Sequence, residues 1–428
     1  GMDYDFDDVL AFNQSFKNTV DYTPSLEISQ PYWLKADFNA IYEVKNQKLI
    51  GKPENDPSLW AVFTFDISGE KVDLKVPATY KHSERVEGEI IEPVFIVPAV
   101  TVSPAQSSLI FATEEAQQLA FDVFFTNDEA ITLNLNATGW DIEPKEVRVS
   151  PLKGSNRNTF SVTIKPQLGS LNGSLEVTSD GKSTQSAYFI EYPHIENRLM
   201  LSPSSVKLNR IDLVKKGIAI GYIPGAGDEV AEAISQMGYE VHILDENTLK
   251  TEDLSQYRAI VAGIRAYNTQ EWLPAAKPEL MKYIENGGNY IVQYNTATRD
   301  LLTNDIGPYP FTLTRDRVTE EDATVERLLP DNPIFNKPNN LTSEDFEGWV
   351  QERGLYFAGN IDEHYQTPIG WHDAGEETQK GGLIIADYGK GTFMYTGISF
   401  FRELPAGVPG AYRLLANMLS YKKQTGGK

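Results

Sequence analysis

The run Gly217-Ile218-Ala219-Ile220-Gly221-Tyr222-Ile223, followed by Pro224-Gly225-Ala226-Gly227-Asp228, decides how the chain is read. The first seven residues carry no charge and no alternation. A strand apolar on both faces belongs in a sheet covered on both sides, which in practice means a parallel one. Pro224-Gly225-Ala226-Gly227 is a tight turn. Asp228 then caps a helix expected to run to Met237, with Val230, Ile234 and Met237 on one face. Gly238 ends it, and Tyr239 to Leu244 begins the next strand.

Downstream the alternation continues. Arg258 to Gly263 reads as a third strand, Trp272 to Glu285 as a helix, and Asn289 to Tyr294 as a fourth strand after Asn286-Gly287-Gly288. This β-α-β order predicts an open, mostly parallel sheet with helices on both faces. Gly382–Tyr388 and Gly391–Thr396 add two late strands, and a last helix is expected from Pro409 to about Tyr421.

Upstream of this region the period is two. Leu59 to Ile67 and Val72 to Val76 flank Ser68-Gly69, a hairpin signal, and Glu89 to Val97 gives another run. Pro93, Pro98 and Pro104 then punctuate the chain. A second series comprises 119–126, 131–136, 147–149, 160–164, 174–178 and 186–191. Short strands at such spacing predict an antiparallel β-sandwich. The expected organisation is a β-sandwich module over 1–97, a second over 98–200, and an α/β domain over 201–428. Tyr32, Trp33 and Trp60 offer aromatic faces for a carbohydrate- or protein-binding module; the alternative is a spacer with these rings in its core.

Composition bounds the function. The 428 residues allow about three domains. With 38 basic and 60 acidic side chains the net charge is −22, which disfavours nucleic acid and anionic membrane surfaces. No apolar run approaches the roughly 20 residues that span a bilayer, so membrane insertion is not expected. No secretory leader is visible, and Gly1 before Met2 reads as an expression scar. The absence of cysteine excludes disulfides, thiolate metal sites and cysteine nucleophiles.

Ligands on open α/β sheets sit beyond the carboxyl ends of the strands. Residues just past the predicted strands are therefore candidates: Asp228; Arg265, Tyr267 and Asn268; Asn295; and Arg402. The long polar stretch 305–380 adds Arg315, Arg317, Glu352 and Arg353. Arginines gathered in the loops of an acidic domain point to a ligand with carboxylate, phosphate or many hydroxyls. The same arginines would equally brace loops through carboxylates such as Asp316 and Glu352. Gly225-Ala226-Gly227-Asp228 lacks the last glycine of a dinucleotide fingerprint and the lysine of a P-loop. His242 reads as a packed strand residue. His372-Asp373-Ala374-Gly375-Glu376 brings ligand-type residues close together, a pattern more often found in solvated loops than at metals. Ser399 lacks the second glycine of a nucleophile elbow. No cofactor and no metal is expected.

Several longer strings carry a resemblance. They are Gly221 to Asp228, Gly263-Ile264-Arg265-Ala266-Tyr267-Asn268, Gln293-Tyr294-Asn295-Thr296, Pro308-Tyr309-Pro310-Phe311, Arg315-Asp316-Arg317-Val318-Thr319, Gly348 to Phe357 and Phe401 to Arg413. Together with Tyr192-Pro193-His194-Ile195, the chain resembles the C-terminal region of large bacterial PIG-L (LmbE-like) deacetylases. That resemblance implies two sandwich modules followed by a flavodoxin-like domain similar to ThuA-like proteins and class I glutamine amidotransferases. It also implies a periplasmic or secreted location. The zinc deacetylase motif His-Pro-Asp-Asp-Glu is absent, since none of the five histidines precedes proline. The amidotransferase cysteine is absent as well.

Two functions follow as expectations. The first is a non-catalytic accessory region that binds carbohydrate or another polyhydroxylated or anionic ligand and serves a deacetylase domain in cis or in trans. The second is a ThuA-like sugar-processing enzyme using Glu352, Asp316 or His372 as acid/base groups. A structural scaffold assembling through Trp349 or Trp371 is a third reading.

Overall fold

The computed structural model describes residues 3–6, 9–21, 26–36, 41–170 and 172–421. It is rich in antiparallel sheet and divides into two compact units, Gly1–Thr101 with Gln185–Ser202, and Val102–Thr184 with Pro203–Lys428.

In the first unit Trp60–Ile67 pairs antiparallel with Glu70–Pro77. Ser68 and Gly69 both take positive φ, 57° and 88°, as a two-residue hairpin turn requires. Thr79–Glu84 pairs with Gly88–Pro93 in a second hairpin. The expected sandwich over 1–97 is not formed among the described residues, where these segments build two-stranded sheets only. The reason lies in the side chains. Phe63, Phe65 and Ile67 share one face with Val72, Leu74 and Val76, and all six are exposed. The apolar face of the ribbon is therefore not buried under a second layer, while Thr64, Asp66, Lys71 and Asp73 make the other face polar. Tyr32, Trp33 and Trp60 are half-buried, with the Lys75 ammonium 4.2 Å from the Trp60 ring.

The second unit does contain a sandwich. One sheet runs Glu146–Val149, Ile131–Asn136, Gly173–Ser179, Ser205–Arg210, Ser108–Phe111. The facing sheet orders Gln117–Phe125, Arg157–Pro166 and Trp140–Glu143, with Val100–Pro104 at its edge. Alternation sets the core: Leu119, Phe121, Val123 and Phe125 point inward between exposed or half-buried neighbours. Phe111 and Trp140 meet across the layers with centroids 4.7 Å apart.

The α/β part follows in the same unit. Its strands are β1 (Ala219–Ile223), β2 (Glu240–Ile243), β3 (Ala259–Ala262), β4 (Asn289–Gln293), β5 (Tyr365–Gln366), β6 (Leu383–Tyr388) and β7 (Gly391–Thr396). They form one seven-stranded mixed sheet ordered 2-1-3-4-7-6-5. The first five in that order are parallel, and β6 and β5 close it antiparallel. Helices α1 (Val230–Gln236), α2 (Glu246–Thr251), α3 (Ala266–Thr269), α4 (Lys277–Glu285), α5 (Phe400–Glu403) and α6 (Pro409–Ser420) accompany it. The helix expected from Trp272 begins instead as a 3-10 turn, Leu273–Ala276, before α4. Pro274 and Pro278 have no backbone N–H to give, so the segment restarts.

Side chains from alternate strand positions feed two cores. Ile220, Val261, Ile291 and Met394 lie on one face with α1 and α6, while Ile223, Ile260, Val292 and Phe393 lie on the other with α4. The first core also takes in Ile110 and Ile211 of the sandwich, and Gln236 accepts a hydrogen bond from the Ile110 N–H. Sandwich and α/β part thus share apolar packing. His242, expected to be packed, is exposed on the edge strand β2. No helix among the described residues is long and apolar enough to cross a membrane.

Candidate functional site

Strand order reverses between β1 and β3, where a crevice is expected. Protein fills that place. The Ala226 N–H donates to the Ile264 carbonyl at 2.8 Å, and a Cβ on Gly225 would come within 1.9 Å of the same oxygen. The Asp228 carboxylate accepts from the N–H of Val230 and the Tyr222 hydroxyl on one oxygen and from the N–H of Ile264 on the other. Asp228 therefore clamps two loops together instead of facing a ligand. Burial and this carboxylate push the Tyr222 hydroxyl pKa up, which keeps it a donor.

Three other expected contacts also prove internal. Tyr267 is 1% exposed and its hydroxyl meets that of Tyr290. Asn268 and Thr296 exchange hydrogen bonds, so the loops after β3 and β4 are pinned to each other. Asn295 is fully buried, accepting from the Tyr267 N–H and donating to the Gln293 carbonyl.

The remaining candidates separate into a group that converges and a group that does not. Arg265, Glu352 and Arg402 converge on Tyr294, the residue just after β4. The Arg265 N–H donates to the Tyr294 carbonyl at 2.8 Å. Tyr356 stacks on the Tyr294 ring at 5.8 Å and 11°, and Phe401 meets it at 5.2 Å. The Arg402 guanidinium lies 4.7 Å from the Phe401 centroid and donates to Glu352 at 3.0 Å and to Gln351 at 2.6 Å. Burial raises the Tyr294 pKa, while Arg265 and Arg402 oppose that rise. The result is an aromatic shelf at the carboxyl ends of β3, β4 and β7, with Tyr294 itself 7% exposed, flanked by two guanidinium groups that are both paired, Arg265 with Asp300 at 3.0 Å and Arg402 with Glu352.

The backbone here is unusual. Arg265, Gln351 and Tyr356 have φ of 56°, 71° and 53°, three of the seven positive-φ non-glycine residues among those described. Each such residue costs roughly 1–3 kcal/mol and persists where the surroundings enforce it, often at functional sites. Arg265 occupies a sharp strand-to-helix bend at the start of α3.

Arg353 is different. It is 2% exposed and donates to the carbonyls of Ala323 and Phe346, with its guanidinium 5.1 Å from the Trp349 ring. Burial pushes its pKa down to about 10. It braces the insertion. Arg315 and Arg317 are exposed, Arg317 on a two-residue strand opposite Leu355. His372 contacts the Asp373 carbonyl, and the Asp373 carboxylate accepts from the N–H groups of Thr319 and Glu320. No group of three or more His, Asp or Glu among the described residues is arranged to hold a metal. Trp349 and Trp371 are 4% and 0% exposed, so they form no surface patch for assembly.

Sequence reasoning missed Tyr294, Tyr356, Phe401 and Glu403. Tyr294 had a signal, since it directly precedes Asn295 at a strand end. Glu403 had none. It is fully buried, accepts from the Val350 N–H at 2.9 Å, and its other oxygen has no partner. Burial pushes its pKa up to about 8 against the opposing effects of that N–H, Arg353 and Arg402. The folded chain thus holds this proton more tightly than the unfolded chain. Stability is fully present below the ordinary carboxylate pKa and falls as pH rises toward about 8. At about 1.4 kcal/mol per unit the loss amounts to a few kcal/mol. Glu403→Gln is expected to abolish most of the fall, read as melting temperature between pH 5 and pH 9; an unchanged slope would refute the assignment.

No family model matches the chain, and no curated protein does. Partial structural similarities exist. The Escherichia coli α2-macroglobulin fragment from domain MG7 to the C-terminus is 13% identical over 26% of this chain and 17% of that one, with a TM-score of 0.16. A family 123 glycoside hydrolase from Clostridium perfringens is 9% identical over 46% and 38%, at 0.18. PapD-like domain 7 of human CEP192 is 11% identical over 31% and 99%, at 0.17. The chain spans well under half of the first two proteins, and at these scores none of the three likenesses bears on function.

Proposed function

We propose that this chain is a non-catalytic accessory region that binds a carbohydrate or other polyhydroxylated, anionic ligand on the Tyr294 shelf. In this reading it serves an N-acetyl-sugar deacetylase domain of the PIG-L (LmbE-like) type, in cis or in trans, in the periplasm or outside the cell. We read the sheet order 2-1-3-4-7 as a flavodoxin-like core of ThuA-like kind, and the sandwich as Ig-like. The observation that carries the binding reading is the gathering of Arg265, Gln351 and Tyr356, all at positive φ, around stacked aromatic rings and two guanidinium groups. Aromatic faces suit the apolar side of a sugar ring, and guanidinium groups suit carboxylate or hydroxyl oxygens.

The reading as an enzyme in its own right has less support. Glu352 is paired with Arg402, Asp316 is exposed, and His372 lies beside Asp373 in the insertion. None of these is an unpaired group beside the Tyr294 shelf. Calorimetry with glucuronate and glucose tests the binding reading. Glucuronate is expected to bind more tightly, and Arg265→Ala to weaken it at least about tenfold, the scale of one charge-assisted hydrogen bond. Equal binding of both sugars, or affinity unchanged in Arg265→Ala, would overturn it.

A further inference from the structure

The hairpin Trp60–Ile67 with Glu70–Pro77 leaves one of its faces uncovered. Pairing sets Phe63 opposite Leu74, Phe65 opposite Val72 and Ala61 opposite Val76, with Ile67 at the turn end. The six large side chains of this face are 37% to 59% exposed, and none carries a polar atom. Together they leave roughly 600 Å² of contiguous apolar surface open, the upper end of what a lone soluble chain shows. The opposite face suits water. There the Thr64 hydroxyl donates to Asp73 at 2.6 Å, Asp66 stands opposite Lys71, and the Lys75 ammonium lies over the Trp60 ring.

Area, charge and symmetry select the occupant. A two-stranded ribbon is marginally stable by itself in water and gains stability when its apolar face meets further strands. Two such faces brought together would bury about 1,200 Å², the lower bound of a specific, stable interface. The charges of the hairpin nearly cancel, Asp66, Glu70 and Asp73 against Lys71 and Lys75. Two copies of a chain of net charge −22 can therefore meet here without strong local repulsion. A face with no donor, acceptor or charge has nothing with which to select a dissimilar partner, whereas a twofold axis makes it complementary to itself.

We infer that this face is a homodimer interface, covered by the same hairpin of a second copy of the chain. The two ribbons stack about 10 Å apart as a four-stranded, two-layer sandwich, aligned to within about 30° as their twist dictates. Phe63, Phe65, Val72 and Leu74 form its middle. The second layer expected over 1–97 is thus supplied by another chain. The interface does not depend on the ligand proposed for the Tyr294 shelf.

Sedimentation equilibrium of the full chain between about 1 and 100 µM is expected to show monomer and dimer in reversible exchange. Phe65→Lys is expected to raise the dimer dissociation constant at least about hundredfold, because association would bury an unpaired ammonium. Phe65→Met keeps the face apolar and is expected to retain the dimer, as is Val62→Lys on the polar face. Both positions are exposed, so each variant is expected to keep the melting temperature of the dilute parent chain. A chain that stays monomeric over this range, whatever other molecule the face takes up, would overturn the inference. So would a dimer that survives Phe65→Lys, or one that Val62→Lys dissolves equally.

Discussion

Arg353→Met is expected to lower the unfolding free energy by about 3–6 kcal/mol, since two buried carbonyls would each lose charge-assisted hydrogen bonds worth about 1.5–3 kcal/mol. The guanidinium is buried and supplies donors to two carbonyls, Ala323 and Phe346, on separate turns of the insertion. It also opposes the rise in the Glu403 pKa, so its loss would leave that carboxyl still more firmly protonated. Methionine fills similar volume but satisfies none of these groups. Urea denaturation would read the loss as a lower midpoint with unchanged slope. Adding Glu403→Gln to Arg353→Met at pH 7 should recover little, since Glu403 keeps its proton below about pH 8 and more firmly still without Arg353. A cost below about 1 kcal/mol would show that the insertion does not rest on this residue.

Gly225→Ala is expected to be comparably damaging for a different reason. Its Cβ would lie 1.9 Å from the Ile264 carbonyl oxygen, and a backbone atom there cannot swing aside. One of the two loops must move, at a cost of about 3 kcal/mol or more. The displaced loop contains Arg265, so glucuronate binding should weaken together with stability. Gly227 is the control. It has φ of 98° and nothing within 4 Å of an added Cβ, so Gly227→Ala costs only backbone strain of about 1 kcal/mol. Equal melting temperatures for the two variants would refute the close approach as the cause.

These residues also show how far the sequence could be read. Apolar runs located β1, β3 and β4 to within two residues, because a strand covered on both faces leaves an uninterrupted local signature. Five of the six strands in the second series, 119–126 to 174–178, fell on the sandwich for a similar reason, that alternation and turn residues recur within a few positions, whereas 186–191 fell on Gln185–Ile190, which pairs with Arg198–Pro203 in the first unit. The hairpin Trp60–Ile67 with Glu70–Pro77 was legible too, but not its lack of a covering layer. Alternation reports which side chains share a face. It does not report whether another sheet is available to bury that face.

For the candidate site the limit is sharper. Being placed after a strand end was enough to select Arg265, Asn295 and Arg402, but not to tell a ligand contact from an internal clamp. Asn268 is spent on Thr296, 28 residues away, and Glu352 on Arg402, 50 residues away. Glu352-Arg353 and Arg402-Glu403 each place opposite charges side by side; the fold turns Glu352 and Arg402 toward each other and buries Arg353 and Glu403. By itself the sequence determined the elements, the acidity and the lack of any cysteine nucleophile, all of which are local or compositional. Only the tertiary structure decided which polar groups remain available to a ligand, because hydrogen-bond partners and desolvation come from segments that are distant along the chain.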